Sequence, residues 1–356
     1  AARAAARRAR AAVAATVGLA RDTVGQRVTG LVNAVGRRIA AHDLQEWVEL
    51  LSEGLDETDR LAIRTHHPRW IVAAYEKVLQ ENEVAQALEA NNLAPRPTLV
   101  MRPGLAEVEE LAPAIPTVYS PFGAVLEGAP GDLAAVREGR AGVQDEGSQL
   151  VCLALTRVEA PSGPWLDLCA GPGGKSALLA GLARQRGEHL VANEVAAHRA
   201  KLVEQALAVY PPGTASVICS DGRDPEPVRR HAPFARIMVD APCSGLGALR
   251  RRPEARWRRT PADLAELVSL QRALLETAIG LLVPGGVVAY VTCSPHADET
   301  AAIVEAALKN NPHLELLDAA ALLPEVPGAA RGGYVQLWPH RHGTDAMFLA
   351  LLRGTS

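Results

Sequence analysis

Long apolar runs are missing from this 356-residue chain: none approaches the ~18 residues that a membrane span requires. The opening residues also lack the charged start, apolar stretch and cleavage site of a secretory signal. Cysteine is scarce, five in all and so an odd number, with no CxxC pair and no histidine at metal-ligand spacing. That pattern argues for a reducing compartment, by default the cytoplasm, where a thiol serves packing or chemistry. No metal and no membrane partner are expected, and a monomer is.

A strong net charge is missing too, since the formal value is −3. Its distribution is uneven. Residues 1–40 hold Arg3, Arg7, Arg8, Arg10, Arg21, Arg27, Arg37 and Arg38 against Asp22 alone. Residues 236–260 hold Arg236, Arg250, Arg251, Arg252, Arg256, Arg258 and Arg259 against Asp240 and Glu254. Two basic stretches on an acidic remainder suit local docking of a phosphate backbone, although a solvated helix face reads the same way.

The length suits two or three domains. Residues 1–40 are rich in Ala and Arg, with Val13, Val17, Val24, Val28, Leu31, Val32 and Val35 at amphipathic helical spacing. Asp43 and Asp56 read as caps of helices beginning near Leu44 and Asp59. Pro95, Pro97, Pro103 and Gly104 mark a change of style, and a small α/β or α+β module is expected up to about 142. From 143 onward apolar runs alternate with helical stretches. Trp165–Cys169, His189–Ala192, Ala215–Cys219, Ala235–Val239 and Gly286–Thr292 read as buried strands, with helices at 176–184, 195–209, 261–282 and 297–309. Such alternation predicts an α/β fold, a doubly wound Rossmann-like sheet that binds ligands at the carboxyl ends of its strands.

The turn Cys169-Ala170-Gly171-Pro172-Gly173-Gly174-Lys175 follows the first of these strands and opens a helix. Glycines let the backbone approach a ligand, and a helix amino terminus offers unpaired N–H groups. Lys175 comes too soon after Gly171 for a Walker A loop, and the turn is not a clean GxGxxG fingerprint. Carboxylates stand at the ends of the next strands: Glu194, placed to accept ribose hydroxyls, Asp221, placed to accept an adenine amino group, and Asp240 beside the chemistry. A ligand containing adenosine is implied. Lys175 and Asp240 suit a zwitterionic tail better than a triphosphate.

Asp240-Ala-Pro-Cys243-Ser-Gly follows the fourth strand, and Thr292-Cys293-Ser-Pro follows the fifth. Cys152 and Cys219 read as small packing residues and Cys169 as part of the cofactor turn. Cys243 and Cys293 differ, because each sits among Pro, Ser and Gly in a loop at the ligand edge. Carbon 5 of cytosine is a poor nucleophile until a thiolate adds at carbon 6. The methylated ring must then lose its carbon 5 proton and expel the thiol, so two thiols allow a division of labour.

Four segments carry a resemblance: Leu166–Lys175, Asp221-Gly-Arg223, Val239–Gly247 and Tyr290-Val-Thr-Cys-Ser294. In that order they resemble the RNA cytosine-5 methyltransferases of the RsmB/Nop2/Sun family, over about 143–356. The resemblance implies that Cys293 is the nucleophile and that Cys243 assists product release. It also implies that Cys169–Lys175, Glu194, Asp221 and Asp240 hold S-adenosyl-L-methionine, which leaves as S-adenosyl-L-homocysteine. The family position filled by Glu194 is often Asp. Asn33–Arg38 looks like the end of the NusB-like RNA-binding domain of bacterial 16S rRNA enzymes, and His67-Pro-Arg-Trp70 like the start of their middle domain. The expected division is therefore 1–40, a helical remnant of the NusB-like domain; 41–142, a small RNA-binding module; and 143–356, the catalytic domain. Most of a NusB-like domain lies outside these residues, through truncation or loss.

Arg250, Arg251, Arg252, Arg256, Arg258 and Arg259 follow the Cys243 motif and are expected to grip RNA phosphates. Trp257 reads as a core anchor for that excursion, and His296, which invites a Cys–His pair with Cys293, as solvent-facing. Competing readings are a DNA cytosine-5 methyltransferase, in which Cys243 would attack, and a small-molecule or protein methyltransferase. A non-catalytic RNA-binding assembly factor is the reading from another class. Small-subunit rRNA is the expected substrate, with transfer RNA the alternative.

Overall fold

The structure, a computed structural model, describes residues 2–355, with side chains from Ala9 onward. The side chains of Arg3, Arg7 and Arg8 lie outside the described residues. Among the described residues no helix is long and apolar enough to cross a membrane.

Two compact units divide the chain, Ala1–Arg69 and Trp70–Ser356. The break at 69/70 differs from the expected boundary at 40/41, because the helices on either side of residue 40 belong to one unit. That first unit is helical: Ala2–Thr23, Thr29–Ile39, Leu44–Ser52 and Glu57–Thr65. Asp43 and Asp56 cap the last two, each accepting from the N–H three residues on at 2.9 Å. Asp56 and Asp59 also hold Arg69. Arg10, Arg21, Arg27, Arg37 and Arg38 are exposed on the first two helices and their connection, and so are the apolar Val24 and Leu31.

In the second unit, β1 (Thr98–Met101), β2 (Ile115–Pro116), β3 (Gly123–Val125) and β4 (Ala141–Val143) form a small antiparallel sheet in the order β2-β3-β1-β4. Leu99, Met101, Leu111, Ala124 and Leu126 fill its core.

The large sheet begins with five parallel strands. They are β5 (Trp165–Asp167), β6 (Leu190–Asn193), β7 (Ala215–Ile218), β8 (Phe234–Asp240) and β9 (Leu282–Thr292), in the order β7-β6-β5-β8-β9. The expected runs are all strands, because a strand buried on both faces must be apolar throughout. Along β9, Val287, Ala289 and Val291 enter one core with helices Glu146–Arg157 and Gly174–Gln185. Val288 and Tyr290 enter the other with helices Pro261–Ile279 and Ala301–Asn310. The sheet then continues antiparallel through β10 (Leu314–Leu317), β11 (Ala330–Arg331), β12 (Tyr334–Gln336) and β13 (Phe348–Gly354). These four strands were not part of the sequence expectation. Strand order reverses between β5 and β8, which opens a crevice at the carboxyl ends where ligands of such sheets bind.

Candidate active site

Residues 169–175 line the reversal point. The helix Gly174–Gln185 follows Gly173, whose φ of 108° belongs to glycine, and a Cβ there would meet Ala206 Cβ at 2.8 Å. A Cβ on Gly171 would overlap the Glu194 carboxylate. Glu194, 3% exposed, instead accepts from Gly171 N at 2.9 Å and Ala196 N at 3.0 Å. Each of its oxygens keeps a lone pair for a ligand hydroxyl. Asn193 ties the neighbouring strand ends, donating to Leu168 O and Ser220 O, each at 3.1 Å. Lys175 reaches across to Asp240, Nζ to Oδ2 2.9 Å. Burial opposes the Lys175 charge most strongly, but Asp240 with the Cys152 and Cys293 sulfurs together hold the ammonium above its ordinary pKa.

Two further carboxylates stand at this end. Asp221 is half-exposed and clasped by Arg223, which holds its carboxyl below the usual range. Asp167, not singled out in the sequence, is buried at the end of β5. It accepts from Ser176 Oγ at 2.6 Å through Oδ2 while Oδ1 has no partner. Burial pushes its carboxyl up to about 7, with the Ser176 bond pulling the other way.

The two loop thiols meet. Cys243 Sγ and Cys293 Sγ lie 3.4 Å apart beyond the ends of β8 and β9. The hydrogen bond between them holds Cys243 well above, and Cys293 below, the ordinary thiol range. Burial and the Glu299 charge also raise Cys243, whereas burial and Asp240 oppose the lowering at Cys293 and Lys175 favours it. The geometry depends on a close crossing: Gly247 N donates to Cys293 O at 2.9 Å, and Ala346 N to Gly247 O at 2.9 Å. A Cβ at Gly247 would sit 2.8 Å from Cys293 O. Cys152 is buried as expected, but Cys219 is exposed, because β7 is the outermost strand of the parallel half. Cys169 is half-buried behind the cofactor turn, and burial raises its pKa.

His296 is buried rather than solvent-facing, because its Nδ1 accepts from Asp298 N at 3.2 Å and caps a single 3-10 turn. The arginine run divides. Arg250 is 8% exposed and bonds Asp145 Oδ2 at 2.6 Å, Asp345 Oδ1 at 3.0 Å and Gly343 O at 2.7 Å. Arg251 also pairs with Asp345. Arg256 is buried against Asn91 and Asn92, and Arg236 lies buried over the Trp165 ring, 5.1 Å from its centroid. Arg236, Arg250 and Arg256 are internal ties, and Arg251 is an exposed residue tied to Asp345. Arg252, Arg258 and Arg259 are exposed. Trp257 is exposed at 66%, not a core anchor, because Arg256 takes the inward side of the short helix Ala255–Arg258.

Sequence reasoning missed Glu299, Gln271, Asp145 and Asp345, all buried around these loops. Each stood in a stretch read as ordinary helix or loop, and a polar residue in such a stretch carries no mark of burial.

Residues 152–353 match the family model described as "16S rRNA methyltransferase RsmB/F". A Mycobacterium tuberculosis (H37Rv) protein that bears the provisional name of methyltransferase is 49% identical over 358 residues, covering 97% of this chain and 76% of its own. The ribosomal RNA small subunit methyltransferase B of Vibrio cholerae is 35% identical over 360 residues, with the same coverage of 97% and 76%. A solved structure of a methyltransferase homolog protein from Pyrococcus horikoshii superposes with TM-score 0.67 at 22% identity. It covers 83% of this chain and 97% of that one.

Proposed function

The chain belongs to the RsmB/F family of 16S rRNA methyltransferases, and on that premise we propose that it methylates carbon 5 of a cytosine in RNA, with 16S rRNA the substrate and Cys293 the nucleophile. The observation that carries the reading is the pair of sulfurs 3.4 Å apart, with Cys293 the one that favours the thiolate.

S-Adenosyl-L-methionine fits the crevice: the turn at Gly171 leaves no room for a side chain, and Glu194 retains lone pairs. Cys169–Lys175, Glu194, Asp221 and Asp240 would hold it, and no step requires a metal. When bound, it supplies an electrophilic methyl carbon and leaves as a neutral thioether, S-adenosyl-L-homocysteine.

The Cys293 thiolate forms a bond to cytosine carbon 6, and the ring electron pair moves to carbon 5, which then takes the methyl group. Once Cys293 is a thioether it carries no charge and accepts only weakly, so the largest cause of the raised Cys243 pKa weakens. Cys243 then passes its own proton to solvent and, as the thiolate, takes the one on carbon 5. The electrons of that C–H bond restore the ring double bond, and Cys293 leaves as thiolate. The asymmetry of the pair supports this order of roles over a DNA-type scheme with Cys243 attacking. RNA binding falls to the NusB-like residues 1–40, to the 41–142 module, and to the exposed Arg252, Arg258 and Arg259.

Labelled 16S rRNA and transfer RNA, incubated with cofactor and each cysteine variant, test the reading on denaturing gels. Cys243→Ala is expected to accumulate a denaturant-resistant complex with 16S rRNA, and Cys293→Ala to form neither complex nor product. The mirror image, Cys243→Ala inert without a trapped complex, would overturn the assignment. Reaction of transfer RNA alone would overturn the substrate.

A further inference from the structure

Each thiol is followed by a buried serine, and both serines lead to the same carboxylate. Ser244 Oγ and Ser294 Oγ donate to Glu299 Oε2 at 2.5 and 2.7 Å. The Ser244 N–H donates to Oε1 at 2.7 Å, and Gln271 Nε2 donates to Oε1 at 3.0 Å. Gln271 also reaches Pro242 O at 2.9 Å, and the Tyr290 hydroxyl holds the Glu299 carbonyl at 2.8 Å. Glu299 is fully buried, and its partners are all neutral. A buried carboxylate without a cation is costly unless donors fill its lone pairs, and here four donors do so.

We propose that Glu299 is the positioning residue of the thiol pair, holding the serine after each cysteine on one carboxylate and so setting the Sγ–Sγ separation. The proposal rests on the reading that Cys243 and Cys293 do the chemistry. Geometry supports it: Ser244 lies beyond β8 and Ser294 beyond β9, and without the carboxylate the remaining direct link between these serines is one 3.1 Å hydroxyl contact. The carboxylate charge is also felt at Cys243, whose proton it helps to retain, while Cys293 faces Lys175.

The two oxygens differ in what can replace them. Oε1 faces two fixed N–H donors and must accept, whereas Oε2 faces two hydroxyls that rotate. Glutamine therefore satisfies all four partners, with its carbonyl at one place and its amide at the other. Aspartate keeps the charge but falls one methylene short.

The test uses the full chain with Glu299→Gln, Glu299→Asp and Glu299→Ala. One readout is the rate at which diamide, which removes two electrons and both thiol protons, joins Cys243 to Cys293, followed by peptide mapping. The others are thermal melting and the kcat and KM of methyl transfer. Glu299→Gln should retain the cross-linking rate and kcat within about threefold. Glu299→Asp and Glu299→Ala should lose about 10- to 100-fold in kcat with KM little changed, as a misplaced reacting group does. Their cross-linking should slow in step. Should Glu299→Ala not fold, Glu299→Asp and Ser294→Ala carry the same comparison. Parent-like cross-linking and kcat in Glu299→Asp would overturn the proposal, and so would loss of both in Glu299→Gln at an unchanged melting temperature. Cross-linking needs no RNA, so it judges the positioning role even if Cys293→Ala methylates and the cysteine reading fails.

Discussion

Replacing Arg250 by alanine separates the structural half of the arginine run from the half that is free to meet RNA. The Arg250 guanidinium is 8% exposed and sits between Asp145, 4% exposed, and Asp345, fully buried. Burial already raises the Asp145 pKa, the Asp345 charge adds to it, and Arg250 is the main opposing influence. Without it, two buried carboxylates face each other with Arg251 holding one of them. Breaking such a buried pair costs about 3–5 kcal/mol, a large part of the ~5–15 kcal/mol that holds a domain folded. Urea unfolding should show that loss for Arg250→Ala, whereas Arg258→Ala should stay within about 0.5 kcal/mol of the parent. The Arg250→Ala deficit should shrink as pH falls, because protonating Asp145 removes the uncompensated charge. RNA binding gives the converse. Alanine at Arg252, Arg258 and Arg259 together should lower the slope of log affinity against log salt by about 2–3 units, at roughly 0.7–0.9 per phosphate contact. Parent-like stability in Arg250→Ala, or an unaltered salt slope in the triple variant, would refute the division.

Asp167 supplies a pH signature: its folded pKa of about 7 lies above the unfolded 3.8. Between those values the native state holds a proton that the unfolded state has lost, so its contribution to stability falls as pH rises, by about 4 kcal/mol in all. Asp167→Asn should lack that fall, and denaturant titrations from pH 4 to 7 in which the two proteins stay parallel would remove the assignment. Asp221→Ala should weaken S-adenosyl-L-methionine binding by about 1 kcal/mol, the low end for a hydrogen bond, because the carboxylate is half-exposed and already clasped by Arg223. Calorimetry showing unchanged affinity would take Asp221 out of the cofactor site.

The parallel half of the large sheet was legible because strands buried on both faces cannot hide their apolar runs: Ala235–Val239 lies inside the observed Phe234–Asp240. The ligand edge followed from the same strands, since a residue just after each run must stand at its carboxyl end. Phe348–Gly354 is as apolar as β8, but an expectation of parallel pairing leaves no place for a strand that returns beside β9. The arginines were illegible for another reason. Nothing around Arg250 announces Asp145 or Asp345, each about a hundred positions away, and charge alone does not distinguish a buried tie from an exposed grip. His296 and Trp257 were misjudged one residue at a time, by a cap in one case and by the facing of a four-residue helix in the other. Glu299 needed the fold, because its partners come from two loops and the helix Pro261–Ile279.

The place of β13 has a consequence for the order in which the enzyme becomes competent during its synthesis. This strand lies between β9 and β12 inside the sheet, and Asp345 and Ala346 just ahead of it brace Arg250 and Gly247 beside the thiols. Every other strand and both thiol loops leave the ribosome earlier. Until residues 345–354 emerge, β9 has an open edge and the Gly247 crossing lacks its outer support. A nascent chain thus carries both cysteines from the synthesis of Cys293 until residues 345–354 emerge without the arrangement that sets them against each other, and a message cut before the codon for Asp345 yields a chain whose thiol loops lack that support.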